Sequence, residues 1–319
     1  MKQLPLDLNP LIKTYNNLAQ PIGVLQSNLK NSNAWIMQHF ISVYYFNEYL
    51  YFDIDSFTLW ECFDVEELDR DEFEGLGISV TDFICSRIEK RRYVYLFLNE
   101  KFIPNREATG NYDYTHDLLI YGCDPVTKEF RTAAYSKNGQ YSMQDISWES
   151  LEKGFYGLGQ DDVFQLVSYC VKSDFQFEKM DISQIIDGLQ CYLNSESIDA
   201  FHNPMLVYGI SIYAELKKEL ENKSRDTQLV IMRKYRILYE HKNIIRLLFQ
   251  ELDLDCNTMS QSLTIFKQLE QIFLMLMRCK ATANSLPNQK IIKLLDSIEE
   301  LERKALTSAI KQLKTRLEK

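Results

Sequence analysis

No CxxC pair occurs among the seven cysteines of this 319-residue chain. An odd number without metal-ligand spacing argues against a zinc cage or a disulfide framework, and for reduced thiols in a cytoplasm. No apolar run is long enough to span a bilayer, and Met1 to Pro10 lacks a signal-peptide pattern. Positive charge is outnumbered: 36 Lys and Arg stand against 45 Asp and Glu, for a formal net charge of -9. That balance removes the electrostatic case for a nucleic-acid partner. GxGxxG, P-loop, HExxH and GxSxG elements are missing, as are internal repeats and low-complexity stretches. The expectation is a cytoplasmic protein with no cofactor and no metal, working away from membranes and nucleic acid.

What the chain does have is an ordinary globular composition, 45% hydrophobic and 25% charged, and a length that suits two domains or one large one. Nineteen tyrosines and eighteen phenylalanines concentrate before residue 215. Leu11 to Leu29 reads as irregular with a short helix, and Asn31-Ser32-Asn33 is a helix-start signal. From Ala34 to Glu48, Ile36, Phe40, Val43 and Tyr44 recur at helical spacing, which predicts one buried amphipathic helix. Leu50 to Trp60 reads as a strand or extended loop, and Asp64 to Glu74 as a solvated acidic loop. Val80 to Lys90 reads as a helix and Tyr93 to Leu98 as a strand. Ser147-Trp148 opens another helix, Phe164 to Phe177 alternates like a strand, and Asp181 heads a helix over Ile182 to Leu193. After Pro204 the composition changes. Tyr208 to Leu220, Thr227 to Leu252, Ser260 to Lys280 and Gln289 to Leu317 repeat with a 3.6-residue period, four helices forming a bundle or cap. His241, in Glu240-His241-Lys242, falls mid-helix and reads as a packing or inter-helix contact.

The chemistry concentrates in Tyr112 to Pro125. Leu118 to Tyr121 is a buried strand with His116 and Asp117 at its mouth and a Gly122-Cys123-Asp124-Pro125 turn at its end. Glu129 to Tyr135 follows, closed by a Lys137-Asn138-Gly139 hairpin turn. Of four histidines, His116 alone stands at a strand end beside a carboxylate, the position of a candidate general base. The plain alternative is a solvent-facing histidine that caps a strand.

A helix start near the N-terminus, then a histidine at a strand start followed by a second strand, is the layout of papain-like cysteine enzymes. His116-Asp117-Leu118-Leu119-Ile120-Tyr121-Gly122-Cys123-Asp124, with Phe130, Gly139, Tyr141 and Ile146-Ser147, resembles the butirosin-biosynthesis acyltransferase family. That family is distantly related to the peptidases that trim double-glycine leader peptides. Tyr208-Gly209, Glu240-His241-Lys242 and Arg246, within 206–250, resemble its helical C-terminal part. The resemblance implies an α+β papain-like domain over 1–203, a helical domain over 204–319, and chemistry at an acyl group delivered on a carrier protein.

It also implies a nucleophilic cysteine at the head of the Ala34 to Glu48 helix, where this chain has Ser32, Asn33 and Trp35, and no cysteine precedes Cys62. The strand after the histidine should carry an orienting acid, and Ala133-Ala134 occupy that place. Asp117, as a strand neighbour of His116, points to the opposite face and is expected to orient it poorly. Cys85 reads as a small buried hydrophobe and Cys123 as a turn residue. Three functions stay open: a catalytically degenerate papain-like protein, a working acyltransferase or amide-forming enzyme using His116 with Ser32 or non-covalent catalysis, and a non-catalytic interaction module. The first would bind a peptide, an acyl chain or a carrier-bound intermediate in the old cleft, as a partner in a bacterial biosynthetic pathway. Asn33, Trp35, Asn105, Arg106, Asp117, Tyr121 and Asp124 are the candidates for lining that cleft.

Overall fold

The computed structural model of the chain describes residues 1–198, 203–222, 228–282 and 286–318. In chain order the elements run β1 (Lys2–Gln3), α1 (Asn16–Asn28), α2 (Ser32–His39), β2 (Val43–Phe46), β3 (Tyr49–Phe52), α3 (Ser56–Trp60), β4 (Phe63–Leu68), α4 (Arg70–Gly75) and α5 (Val80–Glu89). They continue through β5 (Tyr93–Asn99), β6 (Thr115–Asp124), β7 (Glu129–Tyr135), β8 (Tyr141–Ser147), α6 (Trp148–Tyr156), β9 (Leu166–Val171) and α7 (Ile182–Asn194). The last part is β10 (Val207–Tyr208), α8 (Ile212–Asn222), α9 (Gln228–Glu251), α10 (Cys256–Thr282) and α11 (Asn288–Leu317). The helix start expected at Thr227 lies outside the described residues. No described helix is long and apolar enough to cross a membrane.

The chain is mixed α and β, and it forms two compact units whose segments interleave. One comprises Met1–Lys30 with Phe57–Gln176, the other Asn31–Ser56 with Phe177–Lys319. The composition change at 203/204 falls inside the second unit.

The first unit is a seven-stranded antiparallel sheet in the order β4-β9-β5-β6-β7-β8, with β1 pairing on β6. Its centre is apolar on both faces: Val94, Leu96, Leu118, Leu119, Ile120 and Tyr121 are all buried. β4 is the edge strand, where a loop was expected over Asp64 to Glu74. The acidic residues suit an edge because they meet cations there: Arg92 donates to Asp64 at 2.7 Å and Arg87 to Glu66 at 2.7 Å. The end of that stretch is α4, opened by a capping box between Asp69 and Glu72. α5 begins at an N-cap, Ser79, that accepts from the Asp82 amide. Against the all-thiol expectation, Cys85 of α5 and Cys123 of β6 are joined in a disulfide. Sequence spacing misses it because a 38-residue separation carries no local pattern.

In the second unit, the helix expected over Ala34 to Glu48 stops at His39. Val43 to Phe46 is β-branched and aromatic, which favours a pleated strand over a helix. Asn47 and Glu48 sit at φ 46° and 70° and form the two-residue link from β2 to β3, with Phe46 opposite Tyr49. β10 pairs with β2 to complete a three-stranded sheet.

The C-terminal helices of this unit enclose a polar network. His241 donates from Nε2 to the Ile41 carbonyl at 2.6 Å and accepts from the Lys242 ammonium at Nδ1, 3.0 Å away. Lys242 also donates to the Tyr192 hydroxyl at 2.6 Å and to Glu302, whose other oxygen accepts from Tyr213 at 2.7 Å. All three ammonium hydrogens are thereby used, as a buried charge requires. Burial, then the Lys242 charge, holds His241 well below its ordinary pKa. Its expected role is a packing or inter-helix contact, and the Tyr192 ring of α7 lies 4.9 Å from the His241 ring.

Candidate functional site

The site in the first unit starts from α1. Ala19, Ile22, Val24 and Leu25 are fully buried, and this face packs the helix on β6, β7 and β9. Gly23 permits the close approach of the N-terminal segment, since a Cβ there would lie 2.6 Å from the Asp7 carbonyl oxygen. The helix opens with Asn16, itself buried, after an extended Tyr15.

His116 and Asp117 follow Thr115 at the start of β6, opposite Leu98 and Phe97 of β5. The β6–β7 ladder begins only at Leu119, opposite Ala133. Residues 116 and 117 therefore have β5 on one side and no ladder partner in β7 on the other. That open edge is where the two side chains meet. His116 Nδ1 lies 2.6 Å from Asp117 Oδ1, and the Asp117 amide nitrogen lies 2.9 Å from the same ring nitrogen. With a proton on Nδ1 the ring, neutral or charged, donates to the carboxylate; with Nδ1 bare it accepts from the amide. The expectation that Asp117 orients His116 poorly is thus overturned. Strand alternation governs where Cβ atoms point, but at a ladder end the longer side chains bend to a common edge.

Asn16 completes the pair, donating from Nδ2 to Asp117 Oδ1 at 2.8 Å. The helix head joined to the histidine strand is therefore that of α1. Sequence reasoning missed Asn16 because Pro21 lies inside the helix, where it removes a backbone donor and makes the stretch read as irregular. The signal present was an Asn ahead of Ala19, Ile22, Val24 and Leu25.

Glu100 and Arg106 stand beside this trio. Glu100 begins a short 3-10 turn after β5, and its Oε1 lies 3.8 Å from Arg106 Nε. Arg106 also donates from Nη1 to the Tyr135 carbonyl. Burial raises the Glu100 pKa, with the charges of His116 and Arg106 opposing it. For His116, burial lowers the pKa, but the hydrogen bond and charge of Asp117, with Glu100 behind them, leave it raised overall. Burial and the Asp117 carboxylate together push Tyr95 up. The His116 side chain keeps 38% of its surface exposed, and its Nε2 makes no hydrogen bond among the described residues. Tyr114, half exposed, lies 5.5 Å from its ring. Chemically, this is an accessible imidazole with an orienting carboxylate, which the Asn16 carboxamide holds from the head of α1. Neither Cys85 nor Cys123 offers a thiol, since each is bonded to the other.

Ser32, buried, is the first residue of α2 in the second unit. Asn33 is exposed there, and Trp35 is buried, stacked on His39 at 4.5 Å. Asn105 is an exposed turn residue at φ 58°, its carbonyl accepting from the Lys137 amide. Tyr121 is a core residue whose phenol burial pushes up to about 12. Asp124 caps the β6–β7 turn through the amides of Val126 and Thr127. Gly122 and Cys123, expected in that turn, are still strand residues. Within the first unit, the structure brings together His116, Asp117 and Arg106 of the expected set, and adds Asn16, Glu100 and Tyr95. Among the described residues no cluster of three or more His, Cys, Asp or Glu could hold a metal. No family model matches the chain, and no curated protein matches it.

Proposed function

We propose that this chain is a catalytically degenerate papain-like protein of a bacterial natural-product or peptide biosynthetic pathway. It binds a peptide, an acyl chain or a carrier-bound intermediate at the mouth formed by Asn16, His116 and Asp117, and works in the cytoplasm. The observation that carries this reading is Asn16. A buried helix begins at Asn16, a carboxamide that holds Asp117, the carboxylate paired with His116, at 2.8 Å and is no nucleophile. The order of helix, then histidine strand, then second strand supports the papain-like assignment.

The test restores the missing group. In the Asn16→Cys protein, a His116 that faces the head of α1 should, with the helix N-terminus, outweigh the Asp117 carboxylate, lower the thiol's pKa and let it react with iodoacetamide near neutral pH. The natural chain, offered an activated acyl donor, should retain no acyl group. An unreactive thiol at residue 16 would remove the papain-like geometry.

A second reading is favoured by the 2.6 Å His116–Asp117 pair: an acyltransferase or amide-forming enzyme with His116 as base, acting without a covalent intermediate or through Ser32. Acylation of Ser32 in the natural chain, abolished by His116→Ala, would establish it and overturn the degenerate reading.

A further inference from the structure

Three buried polar atoms around Asp117 have no hydrogen-bond partner among the described residues: Asn16 Oδ1, Arg106 Nη2 and the Tyr141 hydroxyl. Their residues are 6%, 3% and 9% exposed. Leaving such groups unpaired is costly, so each is expected to meet something polar. They are neighbours by their other bonds. Asn16 donates to Asp117. Arg106 interacts electrostatically with Asp117 and donates to the carbonyl of Tyr135. Tyr135 is the ladder partner of Tyr141, with the rings 5.7 Å apart. The Tyr135 hydroxyl in turn donates to the Lys13 carbonyl, three residues before Asn16.

The orphans differ in kind, and the difference selects a ligand. Asn16 Oδ1 is an acceptor and needs an N–H or O–H. Arg106 Nη2 is a donor and needs an oxygen. Tyr141 can take either part. An anionic ligand is disfavoured because Glu100 and Asp117 already outnumber Arg106 when His116 is neutral. A thioester or ester offers a carbonyl oxygen but no hydrogen for Asn16.

Resting on the binding function proposed above, we infer that the site recognises an amide: its carbonyl oxygen on Arg106 Nη2, its N–H on Asn16 Oδ1, and the adjoining carbon before His116. Buried sites built to bond a donor reject the analogue that lacks it, because their own acceptor is then left unpaired. The ligand class is therefore peptidyl or acyl-amide rather than acyl-thioester.

The experiment uses the full natural chain and two matched probes, N-methylpropanamide and methyl propanoate. Binding is titrated by NMR, with the His116 ring resonances reporting location. The amide should bind about tenfold or more tighter than the ester and shift His116. In Asn16→Leu, or in Asn16→Ala should the first not fold, the preference should fall to near parity. Equal binding of the two probes, binding of neither, binding that leaves His116 unmoved, or a preference that survives loss of Asn16 would each overturn the inference. The Asn16→Cys alkylation is independent of all four outcomes, so a reactive thiol there with no amide preference removes this inference alone.

Discussion

His116 is held between opposed influences, and their balance can be measured. Burial favours the neutral ring, while the Asp117 carboxylate 2.6 Å away favours the cation and prevails. The titration midpoint of His116 should therefore lie above 6.5 in the natural chain, and Asp117→Asn should bring it to 6.5 or lower, because burial then has less opposing it. For stability, a raised folded pKa means that the contribution is complete below the unfolded value near 6.5 and lost as pH rises through the folded one. In Asp117→Asn that loss should vanish. NMR titration of the ring decides the matter: a midpoint unchanged by Asp117→Asn would mean the pair is not what holds the proton. The position of His116 at a strand mouth was legible in the sequence, because apolar runs and an Asn-Gly turn fix strand ends. The partnership with Asp117 was not, since it depends on where the neighbouring ladder begins, a long-range fact. Asn16, 101 residues away in sequence from Asp117, was out of reach for the same reason.

Among elements, those with local signals were readable. Ser147 and Asp181 cap α6 and α7 through side-chain bonds to following amides, as Ser and Asp before an apolar stripe predict. The β7–β8 hairpin closes at Gly139 with φ 70°, as its Asn-Gly turn signals. Two readings failed where periodicity misled. Ile36, Phe40, Val43 and Tyr44 are spaced as on a helix, yet the β-branched and aromatic second half pairs as a strand. The acidic 64–74 stretch is largely exposed, as read, but it forms β4 and α4 rather than a loop, and its Asp64 and Glu66 meet Arg92 and Arg87. The link between α5 and β6 is the least legible feature, and it has a direct check. With Cys85 and Cys123 joined and Cys62, Cys170, Cys191, Cys256 and Cys279 free, the denatured, unreduced protein should titrate five thiols per chain, and two more after reduction. Protein isolated with every thiol already free would return the chain to the all-reduced state that its cysteine pattern suggests.

At the scale of the whole molecule, the interleaving of the two units decides what can be removed. The four C-terminal helices do not stand apart from the rest of the second unit. α9 packs on α2 and β3, and α11 on α7. The network of His241, Lys242 and Glu302 reaches Ile41 and Tyr192, both earlier than residue 203. Breaking a buried ion pair by deleting one partner costs roughly 3–5 kcal/mol, because the other charge is left uncompensated. A chain ended after residue 203 loses Lys242 and Glu302 together, so no charge is stranded; what it loses is apolar cover. Ile36, Phe40, Leu50, Ile185 and Leu189, all fully buried, would be stripped of the helices packed on their elements, while every residue of the first unit remains. Exposed apolar patches of that kind drive association. The shortened protein should therefore bind a hydrophobic dye such as anilinonaphthalene sulfonate and scatter light at concentrations where the full chain stays clear. If residues 1–203 instead gave a monomer that melts in one cooperative step and binds no dye, the contacts of α2, β3 and α7 with the last helices would be dispensable. The C-terminal helices would then be a separate module joined at Pro204.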